Sequence, residues 1–112
     1  MSSEQDTMPL SGIRVIDLGR HLAGPTAAMW LGDLGADVIK IENPGKGEDA
    51  RSSGPPFFNG ESAFFLAANR NKRSLALNLK VPEGQEVFRK LAATADVIVE
   101  NFRPGVMDAL NI

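Results

Sequence analysis

Apolar and polar positions in this chain follow two rhythms, one of period two and one of helical spacing. Ile13-Arg14-Val15-Ile16-Asp17-Leu18 alternates, is rich in β-branched residues and follows the turn-prone Ser11-Gly12, which predicts a first strand. Residues 19–24 then make a loop, and Pro25 suits the first position of a helix, where its missing N–H would have no partner anyway. Ala27, Trp30, Leu31 and Leu34 follow at helical spacing and predict one apolar stripe, and Gly35 can end the helix with a positive φ. Asp37-Val38-Ile39-Lys40-Ile41-Glu42 reads as a second strand closed by Asn43-Pro44-Gly45. The same grammar returns with residues 74–79 as strand, 82–95 as helix and 96–100 as strand. In that second helix Val87, Phe88, Leu91, Ala92 and Ala95 share a face, with Glu83 and Glu86 near its start and Arg89 and Lys90 further along, the order that suits the helix dipole. Two β-α-β units predict an α/β fold with a Rossmann-like parallel sheet flanked by helices.

Between the units, residues 43–61 hold too many glycines and prolines for a continuous element. They read as a long loop, either functional or a connector. Residues 103–110 look like the opening turns of a further helix, after which the sequence stops, so we expect the N-terminal portion of a larger fold. Residues 1–8 read as a flexible tail and 9–112 as one domain.

Length and composition narrow the function. A chain of 112 residues with 43% hydrophobic residues can bury a core without staples. A net charge of −2 argues against a globally basic nucleic-acid binder but leaves room for a local positive patch. The absence of cysteine removes disulfides, thiol nucleophiles and Cys-ligated zinc, and suits a reducing compartment. No apolar run is long enough for a signal peptide or a membrane span, so a cytoplasmic protein without membrane partners is expected.

Several chemistries lack a foothold. The seven serines include no Gly-x-Ser-x-Gly elbow, and the single histidine, His21, has no neighbouring serine. One histidine and no cysteine leave only carboxylates for a metal, and Glu48-Asp49 reads as a solvated acidic turn rather than a metal site. Gly45-Lys46-Gly47 fails the Walker pattern, and Gly19 with Gly24 fails the dinucleotide fingerprint. Glu42, at the end of the second strand, stands where a ribose-binding acid would, which keeps a nicotinamide or adenine nucleotide domain in view. Arg70, Lys72, Arg73 and Lys80 fall in a stretch, residues 62–82, that holds no acid. They form either a solvated strand entrance or receivers for phosphate, and those before the strand lie too far from Lys80 to share one phosphate. Asn101-Phe102-Arg103 opens at the carboxyl end of the last strand, where adenine or pantetheine could stack, or where Phe102 simply plugs the core.

Five ordered blocks carry a resemblance: Pro9-Leu10-Ser11-Gly12-Ile13-Arg14-Val15-Ile16-Asp17, Ala23-Gly24-Pro25, Leu34-Gly35-Ala36-Asp37-Val38-Ile39-Lys40-Ile41-Glu42, Asn71-Lys72-Arg73-Ser74 and Asp96-Val97-Ile98-Val99-Glu100-Asn101-Phe102-Arg103-Pro104-Gly105. The chain resembles the class III CoA-transferase family, which includes formyl-CoA and carnitine CoA-transferases and the α-methylacyl-CoA racemases. That resemblance implies a Rossmann-like half that holds coenzyme A within a longer chain, whose subunits interlock as a homodimer. By motif position Leu22 and Ala23, Leu77, Asn78, Leu79 and Lys80, and Asn101, Phe102 and Arg103 would line the CoA site. Lys80 would take a phosphate, Phe102 and Ala23 would pack on adenine or pantetheine, and Arg103 would supply charge.

The family's transfer uses an Asp carboxylate that attacks the acyl thioester and passes CoA to an acceptor carboxylic acid. That Asp, like the His and Asp of the racemases, is expected beyond these residues. No catalytic residue, metal or permanent cofactor is therefore expected here, and acyl-CoA enters as substrate. Relatives often carry a basic residue where Asn43 and Ala109 stand, and formyl-CoA transferases a Gln where Leu22 stands. The first departure implies a phosphate grip that is weaker or differently arranged, and the second lowers the formyl-CoA subtype while leaving other carboxylic acids open; a transferase is expected ahead of a racemase. A non-catalytic interaction module is the third reading.

Overall fold

The computed structural model describes residues 8–112. The expected tail lies outside the described residues except for Met8, which sits against Gly35, where the chain turns at φ +108°.

Strands β1 (Arg14–Asp17), β2 (Asp37–Glu42), β5 (Lys72–Ala76) and β6 (Val97–Val99) form one sheet in the order β5-β2-β1-β6, parallel throughout, as the two β-α-β units predict. A short antiparallel pair, β3 (Phe57–Phe58) and β4 (Glu61–Ser62), lies apart from it. Helices α1 (Ala23–Asp33) and α3 (Pro82–Ala92) are the crossovers, α2 (Ala63–Ala67) precedes β5, and α4 (Val106–Ala109) follows β6.

Period-two alternation divides the core. Ile16, Leu18, Ile39 and Ile41 face Leu79 and Phe88, backed by Leu91, Ala92, Met107 and Leu110. Val15 and Val38 face Ala28 and Ala36 on the other side. Both faces of a parallel sheet need cover, and α1 and α3 supply it.

Three expectations shift. The third strand is Lys72–Ala76 rather than 74–79, so Lys72 and Arg73 lie in the strand and Leu77 to Lys80 in the turn after it. In α1 the buried residues are Gly24, Pro25, Ala28 and Met29, while Trp30 is 60% exposed and Leu34 46%. Of the predicted stripe Leu31 packs against the core while Ala27, Trp30 and Leu34 face outward, because Gly24, Ala28 and Gly32 let the helix sit close to the sheet; a Cβ on Gly32 would lie 3.3 Å from a Val38 methyl. In α3, Phe88 is buried but Val87 is 46% exposed, since α3 turns its Phe88 side to the sheet.

The long loop at residues 43–61 is organised by charge. A 3₁₀ turn, Asp49–Ser52, is capped by the Glu48 carboxylate. Arg51 reaches back from it to Glu42 (2.7 and 2.9 Å), approaches Glu61 (3.7 Å) and lies 3.9 Å from the centroid of the Phe65 ring.

Candidate functional site

Parallel strands bring their carboxyl ends to one edge, and four loops meet there: residues 18–22 after β1, 43–49 after β2, 77–80 after β5 and 100–105 after β6. Between them lies a groove of about 500 Å³ lined by Arg20, His21, Asn43, Asp49, Lys80, Asn101, Phe102, Arg103, Val106 and Leu110. Lys80, from the turn before α3, and the Asn101-Phe102-Arg103 segment, from the loop after β6, therefore line one groove. Leu77 and Leu79 line a smaller cleft beside it, sharing Arg20, Asn43 and Phe102 as walls. Asn78 is a turn-former, its Oδ1 accepting the Lys80 N–H at 3.0 Å. Leu22 and Ala23 are exposed at the start of α1 and do not line the groove.

Arg20, His21 and Asp49 enter the site from loops to which the sequence reading gave no binding role. Their only sequence signal was position: each follows a strand end that the parallel order brings to this edge. His21 takes a left-handed conformation (φ 62°), and its Nε2 stands 3.9 Å from Asp49 Oδ2 across the groove mouth. Phe102 is half plug and half surface, packed on the core on one side and 5.2 Å below the Arg20 guanidinium on the other. Among the described residues Arg20, Lys80 and Arg103 form no ion pair, so their charge is available to an anion.

The other cations of the basic stretch are committed to partners. Arg70 pairs with Asp33 (2.6 Å), and Arg73 donates to both oxygens of Asp37 (2.9 and 2.7 Å). The Lys72 side chain is held out of solvent, donating to Asp17 (2.7 Å), the Pro25 carbonyl (2.9 Å) and Asn69 (2.7 Å), and burial pulls its pKa below the usual lysine value. These three serve the fold and not a phosphate, which corrects the sharper reading of that cluster.

Glu42 and Glu48 also depart from expectation. Glu42 accepts from Arg51 twice, from Ser74 Oγ (2.7 Å) and from the Glu48 N–H (2.9 Å), and Arg51 holds its pKa down at about 2. Four donors exhaust its oxygens, leaving none for a ribose, so the basis of the nicotinamide reading falls. Glu48 is buried, not a solvated turn, and lies 3.2 Å from Lys40 Nζ. Lys40 in turn lies 3.6 Å from Asp17 and donates to the Gly19 carbonyl at 3.1 Å. Among the described residues no three His, Asp or Glu side chains converge as a metal site, and no helix is long and apolar enough to cross a membrane.

Comparison with known proteins agrees with the parallel α/β fold. The sequence pattern described as CoA-transferase family III matches residues 10–112. The chain is 55% identical over 111 residues to succinyl-CoA:glutarate CoA-transferase of Mus musculus, covering 98% of this chain and 26% of that protein. It is 54% identical over 101 residues to succinate–glutarate CoA-transferase of Agrobacterium fabrum, covering 85% and 25%. Among solved structures, a CAIB/BAIF family protein from Brucella suis superposes with a TM-score of 0.87 at 47% identity, covering 94% of this chain and 29% of that one. The chain thus spans about a quarter of the length of the curated relatives it matches.

Proposed function

The chain belongs to CoA-transferase family III, and from that premise we propose that it is the CoA-holding N-terminal part of an acyl-CoA:carboxylate CoA-transferase acting on dicarboxylic acids in the cytoplasm. One observation carries this reading: Arg20, Lys80 and Arg103, three cations without ion-pair partners among the described residues, line one groove with the Phe102 ring. Coenzyme A offers the matching set, phosphates at one end, a flat adenine, and a flexible arm that must run toward the reacting thioester. Lys80 acts as a point charge for phosphate and Arg103 as a forked donor, while the Phe102 side supplies apolar cover. The Asn78 side chain holds the Lys80 backbone N–H, and Lys80 lines the groove.

The dicarboxylate preference rests on the relatives, whose names pair succinyl-CoA with glutarate. In such a reaction the C–S bond of one thioester breaks, its acyl group takes an oxygen from the acceptor carboxylate, and the CoA thiol forms the new C–S bond to the acceptor acyl carbon, so atoms and electrons balance without a redox partner. In this reading these residues bind and orient the CoA portion, the attacking carboxylate comes from sequence beyond them, and the full-length protein is a homodimer.

The test is product analysis. In its longest encoded form, supplied with succinyl-CoA and glutarate, the protein is expected to yield glutaryl-CoA and free succinate. Epimerisation of a 2-methylacyl-CoA with no transfer would mark a racemase and overturn the transferase reading.

A further inference from the structure

The geometry points to Arg20 as an anion-binding residue of the groove and to Asn101 as the residue that positions it through the backbone. This rests on the CoA-transferase reading and adds to it a side chain and a mechanism of placement.

Four observations converge on this one residue. First, both polar groups of the Arg20 peptide are held by a single side chain: Asn101 Oδ1 accepts from the Arg20 N–H (2.8 Å) and Asn101 Nδ2 donates to the Arg20 carbonyl (3.0 Å). The Asn101 amide is thus spent on backbone, which makes it a clamp between the β1 and β6 loops. Second, the preceding peptide is fixed from beneath, the Gly19 N–H donating to Asp17 (2.7 Å) and its carbonyl accepting from buried Lys40 (3.1 Å). Third, Gly24 leaves space for the clamp, since a Cβ there would lie 3.0 Å from Asn101 Oδ1 and 2.8 Å from Gly19 Cα. Fourth, the guanidinium so placed rests 5.2 Å from the Phe102 centroid, lines the groove with Lys80, and has no ion-pair partner among the described residues.

A surface arginine with no task does not need its backbone bonded at both groups by another loop. Preorganisation of this kind reduces the ordering cost of a binding group, and an arginine stacked on an aromatic ring keeps its N–H fork directed outward. The acid among the residues lining the groove is Asp49, which lies 3.9 Å from His21. The group Arg20 receives is an oxyanion, either a phosphate of CoA or the remote carboxylate of a dicarboxylic acid.

The experiment uses the longest encoded form with free CoA, dephospho-CoA and glutarate as probes. Arg20→Gln is expected to weaken one of these probes about tenfold or more. Loss for CoA but not dephospho-CoA assigns the 3′-phosphate, loss for both assigns the diphosphate, and loss confined to the glutarate KM assigns the carboxylate. Arg20→Lys should recover part of the loss. Asn101→Ala should weaken the same probe, yet add nothing to Arg20→Gln in the double variant, a non-additivity that simple damage to the fold would not give. Thermal melts confirm that each variant is folded. If wild-type protein binds CoA and Arg20→Gln matches it for every probe, or if the two losses add in full, the inference is overturned while the CoA reading stands. If the wild type binds no CoA, both fall.

Discussion

Glu42 gives the residue scale its sharpest test. The Arg51 guanidinium beside it holds the carboxyl pKa down at about 2 in the folded chain, against the ordinary 4.5. A depressed acid stabilises the fold fully above its unfolded pKa and loses that contribution as pH falls through the folded one. The stabilisation is therefore complete above about pH 4.5 and gone near pH 2, and amounts to roughly 3 kcal/mol. Glu42→Gln should lower the denaturant midpoint clearly at neutral pH, and the gap from wild type should close as pH drops through this window. An equal gap at pH 3 and pH 7 would show that the Arg51 pair does not hold Glu42. At this scale the sequence was partly misleading. Glu42 and Lys72 look like ligand-binding groups in a list of residues, and only their partners in the fold, Arg51, Ser74 and Asp17, show that their bonds are already made.

At the scale of elements, α3 and the turn before it are fitted to each other at Gly84. A Cβ there would lie 1.8 Å from the Asn78 carbonyl oxygen, so the helix can approach the turn only because the side chain is missing. Helix propensity alone would favour alanine by about 1 kcal/mol. The clash outweighs it, and Gly84→Ala should be destabilising by a net 1–3 kcal/mol, roughly the cost of overpacking. It should also weaken CoA, because the turn that yields carries Lys80. A variant as stable as wild type with unchanged CoA affinity would contradict this coupling. Element type was legible from spacing: the four sheet strands and the two crossover helices stand where alternation and glycine-proline punctuation put them. Element ends and faces were less so. The third strand starts two residues early because Lys72 finds a buried acid, Asp17, that no local pattern shows. The face of α1 was misjudged because small residues, not large ones, mark its contact with the sheet.

At the scale of the whole molecule, the close seating of α1 leaves Ala27 and Trp30 turned outward, with Leu34 at its C-cap and Val97 and Ile98 on β6 also exposed. An exposed apolar face of this kind should bind an environment-sensitive dye. Trp30→Glu should reduce that signal and change stability by no more than about 0.5 kcal/mol, as expected for a surface site. A loss above about 2 kcal/mol would mean that Trp30 is packed in the core. The groove itself was legible only as a consequence of topology. Lys80, Asn101, Phe102 and Arg103 were named from motif position, whereas Arg20, His21 and Asp49 became visible once the strand order β5-β2-β1-β6 set their loops side by side.

Calorimetric titration of CoA into the longest encoded form, with Lys80→Ala run alongside, addresses the groove most directly. We predict one CoA per chain for the wild type, affinity weakened by about tenfold in Lys80→Ala from loss of a charged phosphate contact, and competition by succinyl-CoA in both. Absence of heat with the wild type, or equal affinity in the two proteins, would contradict the assignment of this edge to coenzyme A.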